Sequence, residues 1–291
     1  MNFENVDLMT AMVTPFDDQQ KLADDRLHSL IEHLLAHGTQ GLIVGGTTGE
    51  APTLTDDEKI DLLTKTAKIV AGRVPIVAGT GSNSTAGTIA FTKRVSQIEG
   101  ITAALVVVPY YNKPNQAGMI AHFTAVADQG GLPVIIYNIP GRVIVKMDVD
   151  TVLELAKNPN IIGIKQCASM EEFGALVEQA PADFLVYTGE DAQSLAAKEI
   201  GGAGVISVAS HIYGDEMSAM YQAVANGEIA MAAKYQRDLT PKMAALFSAP
   251  SPSPVKAALN HVGQLVGNPR LPILPLTAAQ ENKLFQTLNI K

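Results

Sequence analysis

Eight short, continuously apolar segments recur along the chain, and their spacing is the strongest constraint on its fold. They cover residues 8–13, 41–45, 74–78, 103–108, 133–137, 161–164, 184–187 and 203–208. Continuous rather than alternating hydrophobicity is typical of strands that are buried on both faces of a parallel sheet. The segments lie roughly 20 to 30 residues apart, which leaves room for a helix after each strand. The sequence therefore predicts eight βα units.

Helix-start signals support this alternation. Thr55-Asp56-Asp57-Glu58 has the pattern of a capping box and precedes a predicted helix over residues 59–70. Eight βα units are what a closed (β/α)8 TIM barrel requires, and this α/β fold is our prediction. The alternative is a doubly wound open sheet. It is disfavoured because Gly79-Thr80-Gly81-Ser82-Asn83-Ser84 lacks the third glycine of a dinucleotide-binding turn.

The strand pattern stops beyond about residue 210. Segments rich in Ala, Met and Leu follow with helical spacing at residues 215–225, 229–247, 254–265 and 278–288. Proline-rich turns at residues 249–254 and 269–275 interrupt them. We therefore expect residues 1–212 to form the barrel with the active site. Residues 213–291 are expected to form the last barrel helix and a C-terminal helical extension packed on the barrel.

Composition excludes several classes of protein. The 291 residues carry a net charge of −8 and no Lys/Arg cluster, which argues against a nucleic-acid surface. A single cysteine, Cys167, rules out an intrachain disulfide and a Cys-rich zinc site, and it favours the reducing cytoplasm. His33 and His37 have no third ligand nearby, so we predict no metal site. The acidic N-terminus and the lack of a long apolar run predict neither a signal peptide nor a membrane span.

Polar side chains gather where the predicted strands end. In TIM barrels the catalytic groups lie at the carboxyl ends of the strands, whereas the interior is packing. The residues at these ends include Thr14, Thr47, Thr48, Tyr110, Tyr111, Tyr137 and Lys165. The other lysines fall on predicted helices or loops, where a solvated ammonium is the ordinary state. Only Lys165 directly ends a predicted buried strand, so it is the first candidate for catalysis.

Lys165 has two interpretations. Burial lowers the pKa of a lysine and favours the neutral amine, which can attack a carbonyl and form a Schiff base. Tyr137, one strand earlier, could then move protons to and from the carbinolamine. The alternative is that Lys165 forms a structural ion pair with a carboxylate inside the barrel and that Tyr137 is only a packing residue.

Two further segments could bind carboxylates or an interface. Thr47 and Thr48 stand in a glycine-flanked turn, whose N–H groups could hold a carboxylate, although plain turn chemistry also explains them. Arg142 is a fixed cation beside the same rim and suits bidentate carboxylate binding. Tyr110 and Tyr111 are adjacent and cannot both point inward, so we expect one of them to serve an interface.

Taken together, these segments resemble the dihydrodipicolinate synthase family. The motifs that carry the resemblance, in matching order and spacing, are residues 46–50, 109–114, 137–142, 161–165 and 201–207. The likeness runs from about Met9 to the C-terminus. It extends to the wider pyruvate-dependent class I aldolases, which share the lysine, the strand-five tyrosine and a Gly-x-x-Gly-Glu turn.

The resemblance implies an enzyme that condenses pyruvate with L-aspartate 4-semialdehyde, the first committed step toward diaminopimelate and lysine. It implies the catalytic residues Lys165, Tyr137, Thr47 and Tyr111 and the substrate-binding residues Thr48, Arg142, Gly189 and Ile206. Lys165 would form the imine with pyruvate, and no metal or organic cofactor would be needed.

Further roles follow from the resemblance. Tyr137, Thr47 and Tyr111 would form a proton relay, with Tyr111 supplied by a neighbouring subunit. Thr48 would hold the carboxylate of pyruvate and Arg142 that of the semialdehyde. The expected assembly is a homotetramer built from two dimers, with no nucleic-acid or membrane partner.

Some positions depart from the family pattern. Gln166 follows the lysine where the family commonly has glutamate, which leaves kinetic competence open. Lysine-inhibited members place Ser, His, His and Glu at positions that align here with Ala51, Asp56, Lys59 and Gly87. Because these changes remove groups that would bind lysine's charged ends, we predict weak or absent feedback inhibition by lysine.

Two rival functions remain at this point. The first is another pyruvate-dependent aldolase, an N-acetylneuraminate or 2-keto-3-deoxy sugar acid lyase. Thr47-Thr48, Tyr111 and Arg142 argue against it, because a sugar substrate needs polyol contacts rather than a second carboxylate clamp. The second is a non-catalytic barrel that serves as a binding protein. The intact Lys165, Tyr137 and Thr47 make it the weaker hypothesis.

Overall fold

A computed structural model describes residues 3–290 of the chain. Eight parallel strands form a closed barrel, and they follow one another around it in chain order. The strands are β1 (Leu8–Ala11), β2 (Gly41–Val44), β3 (Ile76–Gly79), β4 (Ile101–Val107), β5 (Val134–Asn138), β6 (Ile161–Gln166), β7 (Leu185–Thr188) and β8 (Gly204–Ser207). Pairing of Thr10 on β1 with Ser207 on β8 closes the barrel. The predicted TIM barrel is confirmed, and the alternative fold, a doubly wound open sheet, is wrong.

All eight strands fall on predicted segments, with ends that differ by one or two residues. The difference at β6 concerns the site. This strand extends through Lys165 and Gln166 because their backbones pair on both sides. Lys165 lies opposite Tyr137 on β5 and Tyr187 on β7. It is therefore the penultimate residue of the strand rather than the first residue after it.

Helices separate the strands and follow the last of them. Within residues 3–290 they are α1 (Asp24–Ala36), α2 (Asp56–Val70), α3 (Thr85–Val95), α4 (Gln116–Gln129), α5 (Pro140–Val143), α6 (Val149–Leu155), α7 (Met170–Gln179), α8 (Ser194–Glu199), α9 (Ser210–Ala225), α10 (Ile229–Ala245), α11 (Ser253–His261) and α12 (Ala278–Leu288). Two short 3-10 helices add Ala51–Thr53 and Asp191–Gln193. The predicted capping box is present, since Thr55 and Glu58 bond each other's backbone N–H.

The C-terminal extension contains three helices, α10 to α12, at the predicted places. The helix before them begins earlier than predicted, at Ser210, and departs from helical backbone angles at Tyr213. The predicted boundary after residue 212 falls within this helix, so the division of the chain stays a prediction. Residues 1, 2 and 291 lie outside the described part. None of the helices between residues 3 and 290 combines the length and the apolar character that a membrane crossing needs.

The interior of the barrel is apolar below the site. Inward-facing side chains from successive strands form one buried cluster, which includes Met9, Ile43, Val77, Leu105, Ile135, Tyr137, Tyr187 and Ile206. Larger apolar clusters fill the space between the strands and the helices. Because neighbouring residues of a strand face opposite ways, Tyr137 and Lys165 point inward while Asn138 and Gln166 point outward.

Candidate active site

Lys165 is buried at the carboxyl end of β6, with 6% of its surface exposed. Its Nζ lies 4.6 Å from the centre of the Tyr137 ring, a cation–π contact. None of the ion pairs found within residues 3–290 includes Lys165. The structural ion pair considered as an alternative is therefore not present. The amine has an aromatic neighbour and no bonded carboxylate, which leaves it available to react.

The predicted fall in the pKa of Lys165 was wrong. Burial does lower this pKa, but in the alkaline range where a lysine titrates the negative charges of Tyr137, Cys167, Asp191 and Glu190 outweigh burial and raise it. Burial also raises the pKa of the Tyr137 phenol and raises that of the Cys167 thiol to about 12, so both are protonated at neutral pH. The resting lysine is consequently an ammonium and must lose a proton before it attacks a carbonyl.

Tyr137 connects Lys165 with the turn after β2. Its side chain is almost fully buried, and the Thr47 hydroxyl lies close enough to affect its phenol. Burial raises the pKa of the phenol, while the charge of Lys165 and the nearby Thr47 hydroxyl lower it in part. The tyrosine stands between an amine and a half-buried hydroxyl, and this order suits the transfer of protons.

The turn after β2 is compact and internally bonded. The N–H of Glu50 donates to the carbonyl of Thr47 at 3.1 Å, and that of Ala51 donates to Gly46 at 3.2 Å. The hydroxyl of Thr14, at the end of β1, donates to the carbonyl of Gly49 at 2.6 Å. Thr48 is buried in this turn and Thr47 is half-buried. Of the two threonines, Thr47 lines the cavity at the strand ends.

A cavity of about 310 Å³ opens beside Tyr137. Thr47, Tyr110 and Arg142 line it, so three of the predicted strand-end groups share one space with Tyr137. Arg142 lies on the short helix α5 and is exposed, as a cation that meets a soluble anion must be. The cavity is large enough for two small carboxylic acids.

Four predicted site residues are buried or half-buried beside or below this cavity without lining it, namely Lys165, Thr48, Gly189 and Ile206. Tyr111 instead lies on the surface. It is 85% exposed and does not line the cavity, and its φ of 73° lies in the left-handed region. Its neighbour Tyr110 does line the cavity. The adjacent phenols thus point in different directions, as predicted. The role of Tyr111 in a neighbouring subunit stays a prediction.

Gly189 lies directly against the lysine. A Cβ atom there would stand 2.5 Å from Cε of Lys165 and 2.3 Å from Sγ of Cys167. Only glycine fits this place without displacing the lysine. Cys167 therefore adjoins the site, and its raised pKa keeps it as an unreactive thiol. Ile206 is fully buried in the barrel interior on β8 and forms part of the floor.

Asp191 is a charged neighbour that the sequence analysis did not single out. Its buried Oδ2 accepts hydrogen bonds from the N–H groups of Ala209 at 2.9 Å and Val208 at 3.2 Å, and its buried Oδ1 has no hydrogen-bond partner among residues 3–290. Burial raises the pKa of this carboxyl, while these bonds and the charge of Lys165 lower it in part. Its place just after β7, at the same ends of the strands as the other site residues, is the sequence signal that could have identified it.

Gln166 serves the outer side of β6. Its Oε1 accepts a hydrogen bond of 2.9 Å from the side-chain amide of Asn138, which also donates to the carbonyl of Met147 at 3.0 Å. The side chain is buried and faces away from Lys165. An amide oxygen can make this bond as a carboxylate would, and it adds no charge beside the lysine.

The comparisons with known proteins agree with this geometry. The dihydrodipicolinate synthetase family matches residues 4–291. A 4-hydroxy-tetrahydrodipicolinate synthase of Ligilactobacillus salivarius is 59% identical over 290 residues, which cover 100% of both chains. The crystal structure of a dihydrodipicolinate synthase from Bacillus anthracis superposes with a TM-score of 0.95 at 43% identity and covers 98% of each chain.

A third relative carries a ligand in its crystals. The synthase of Cyanidioschyzon merolae, crystallised with lysine bound, has a TM-score of 0.95 and 38% identity, and the match covers 99% of this chain and 98% of that one. The family match spans nearly the whole sequence, and the curated relative matches end to end. The chain belongs to the dihydrodipicolinate synthetase family.

Proposed function

We propose that the chain condenses pyruvate with L-aspartate 4-semialdehyde to give 4-hydroxy-tetrahydrodipicolinate, through an imine on Lys165. This is the first committed step toward diaminopimelate and lysine. The observation that carries the proposal is the environment of Lys165, which is a buried amine at a strand end with no carboxylate bonded to it and a tyrosine against it. The full-length match to curated synthases supports the same reaction.

The chemistry begins with attack of the neutral Lys165 Nζ on the ketone carbon of pyruvate. Loss of water from the carbinolamine leaves a protonated imine. A methyl proton then leaves, and the resulting enamine carbon bonds to the aldehyde carbon of the semialdehyde. The amino group of the semialdehyde finally displaces Lys165, which closes the ring and frees the lysine. One water is released, and no cofactor is required because the protonated imine accepts the electron pair.

Tyr137 and Thr47 are proposed to move the protons in these steps. Both line the cavity and Tyr137 contacts Lys165, so together they give a path from the lysine to the cavity. The lysine proton, the carbinolamine water and the methyl proton all need such a carrier. We assign Tyr111 to the same relay in a neighbouring subunit, since its side chain is 85% exposed in the single chain.

The substrate carboxylates are assigned to opposite sides of the lysine. Thr48 and the adjacent turn would hold the carboxylate of pyruvate, and Arg142 would hold that of the semialdehyde at the cavity mouth. Gly189 would leave room for the imine and Ile206 would form the floor. A second carboxylate clamp favours this acceptor over a sugar aldehyde.

Borohydride trapping tests the imine. The protein is incubated with pyruvate and sodium borohydride and digested, and the peptides are analysed by mass spectrometry. We expect a reduced pyruvate adduct on Lys165 and none in Lys165→Arg. Absence of the adduct would exclude both the synthase and the sugar-lyase readings. If it forms, turnover with the semialdehyde and none with N-acetylmannosamine identifies the synthase.

We also propose that the active form is a tetramer of two dimers in the cytoplasm. An exposed tyrosine that is needed in a neighbouring active site would make the dimer the smallest fully active unit. Sedimentation velocity should give a tetramer. Mixing inactive Lys165→Arg with inactive Tyr111→Phe subunits should restore activity, because hybrid dimers contain one complete site. A fully active monomer would contradict this assembly.

Weak feedback by lysine is the last part of the proposal. Ala51 and Lys59 line the cavity with Tyr110, and Nζ of Lys59 lies 3.3 Å from the Asp56 carboxylate. A fixed cation at this position repels the amino groups of a free lysine. We therefore expect the rate to stay nearly constant up to about 1 mM lysine. Lys59→His removes this fixed cation and should strengthen inhibition, whereas strong inhibition of the parent protein below that concentration would contradict the prediction.

A further inference from the structure

A second lysine is even more deeply buried than Lys165, and its position was not predicted. Lys256 lies on α11 in the C-terminal extension, with 1% of its side chain exposed. The expectation that the lysines outside β6 are solvated was wrong here, because α11 packs against the barrel. Its Nζ lies 2.6 Å from Oε1 of Glu50, whose side chain is 3% exposed. This contact is an ion pair rather than a directed hydrogen bond.

Glu50 is fixed from two more directions. Its Oε2 accepts a hydrogen bond of 2.7 Å from the backbone N–H of Arg270, a residue of the extension. The Arg270 guanidinium donates to the carbonyl of Thr53 at 2.9 Å and forms an ion pair with Glu58. The extension thus binds the segment that follows β2 through side-chain and backbone contacts.

These contacts are made next to the turn that carries Thr47 and Thr48. Glu50 is the residue two places after Thr48, and its N–H is bonded to the carbonyl of Thr47. Its φ of 60° lies in the left-handed region, which a non-glycine residue keeps only where its surroundings hold it. The contacts of the Glu50 side chain therefore help to fix the backbone of Thr47 and Thr48.

We propose that Lys256 and Glu50 are positioning residues that hold Thr47 and Thr48 in register with Lys165 and Tyr137. The inference rests on the proposed function, since it concerns the binding of pyruvate at that site. A buried ion pair is seldom justified by stability alone, because well-packed apolar residues are often as stable. Its use here is to fix one arrangement of the turn, so the C-terminal extension takes part in substrate binding.

The charge of Lys256 gives the inference a pH signature. Burial lowers the pKa of this lysine to about 8; Glu50 raises it in part, and Arg270 lowers it again. The other groups against the ammonium are neutral: the carbonyl of Asn268 at 3.3 Å and the ring of Phe16 at 4.3 Å. Above pH 8 the ion pair is lost, and pyruvate should bind more weakly.

The same titration has the opposite effect on stability. The pKa in the folded state is below that of an unfolded lysine, so between pH 8 and the ordinary lysine pKa the unfolded chain binds more protons. Through this group, the free energy of unfolding rises with pH over that range. A merely structural role thus predicts no loss of function above pH 8, whereas a positioning role predicts weaker binding of pyruvate.

The experiment measures the pyruvate concentration that gives half-maximal borohydride trapping at equilibrium, from pH 7 to pH 9. Imine formation from an ammonium exchanges no net proton, so Lys165 does not impose a pH dependence on it. Lys256→Met is compared with Lys256→Arg, which keeps the charge without titrating. Lys234→Met, which removes an exposed lysine of α10 paired with Asp238, is the matched control.

We expect Lys256→Met to raise the half-saturating pyruvate concentration by about tenfold to a hundredfold, with the KM for the semialdehyde little changed. The parent protein should lose affinity above pH 8, while Lys256→Arg should not, and Lys234→Met should match the parent. A folded Lys256→Met with parental affinity would overturn the inference.

If Lys256→Met does not fold, the comparison of the parent with Lys256→Arg decides. Parallel pH profiles of these two proteins would overturn the inference. Failure of the proposed function gives a different result, namely no adduct on Lys165 in the parent protein at any pH.

Discussion

Two lysines of this protein are buried to nearly the same degree but in opposite chemical settings. Lys165 has a tyrosine ring beside it and no bonded carboxylate in the described part of the chain, whereas Lys256 forms an ion pair with Glu50. The pKa of Lys256 moves in the direction that burial favours, whereas that of Lys165 moves against it. The pKa of Lys165 is raised, and burial beside the Arg270 cation lowers that of Lys256 to about 8. Burial therefore does not identify a catalytic lysine, and the absence of a bonded partner does so better.

The largest expected effect separates the two lysines by function. Lys165→Met should reduce kcat/KM by at least roughly 10⁴-fold, because it removes the proposed nucleophile. It should lower the free energy of unfolding only slightly, because no ion pair is broken and only the charges that raise the lysine pKa lose a counter-charge. Steady-state kinetics and urea unfolding measure both quantities. A large loss of stability would mean that Lys165 also has a structural partner.

The ion pair should show the reverse behaviour. Glu50→Gln leaves the Lys256 ammonium buried without a counter-charge and should lower the free energy of unfolding by about 3–5 kcal/mol. The double variant Glu50→Gln/Lys256→Met should recover part of this loss, because neither charge is then buried. Urea unfolding of the four proteins forms a double-mutant cycle. If the double variant loses the sum of the single losses, the two residues are not coupled.

Gly189 offers a smaller and more local perturbation. Gly189→Ala places a Cβ 2.5 Å from Cε of Lys165, so the lysine must shift. We expect kcat/KM to fall by about 10- to 100-fold, with a stability cost of about 1–3 kcal/mol. Gly141→Ala is the matched control, because a Cβ there meets nothing within 4 Å. An unchanged rate in Gly189→Ala would mean that the reaction does not depend on the present position of the Lys165 side chain.

The smallest effect is the pH dependence of the attack itself. The pKa of Lys165 lies above its usual value, so the fraction of neutral amine increases about tenfold for each pH unit near neutrality. The initial rate of adduct formation at saturating pyruvate should increase by about the same factor from pH 7 to pH 8. Rapid-quench borohydride trapping measures it. A plateau below pH 8 would indicate the lowered pKa that the sequence first suggested.

Much of the fold was predictable because its signals are local. A strand buried on both faces must be apolar throughout, and eight such strands at βα spacing leave few arrangements besides a barrel. The strand-end position of Lys165 and Tyr137 followed from the same pattern. The contacts of Lys256 and Arg270 with Glu50 were not predictable. Both residues are distant from Glu50 in the sequence, and no local pattern relates them to a turn after β2.

The sequence by itself determined the order of the elements and which side chains stand at the strand ends, because both depend on neighbouring residues. Only the tertiary structure decided which of these groups are in contact and which charged groups surround each of them. The raised pKa of Lys165, the outward turn of Tyr111 and the burial of Lys256 depend on groups brought together from separate elements. Electrostatic energies depend on the distance between charges and on their access to water, and neither quantity can be read from the order of the residues.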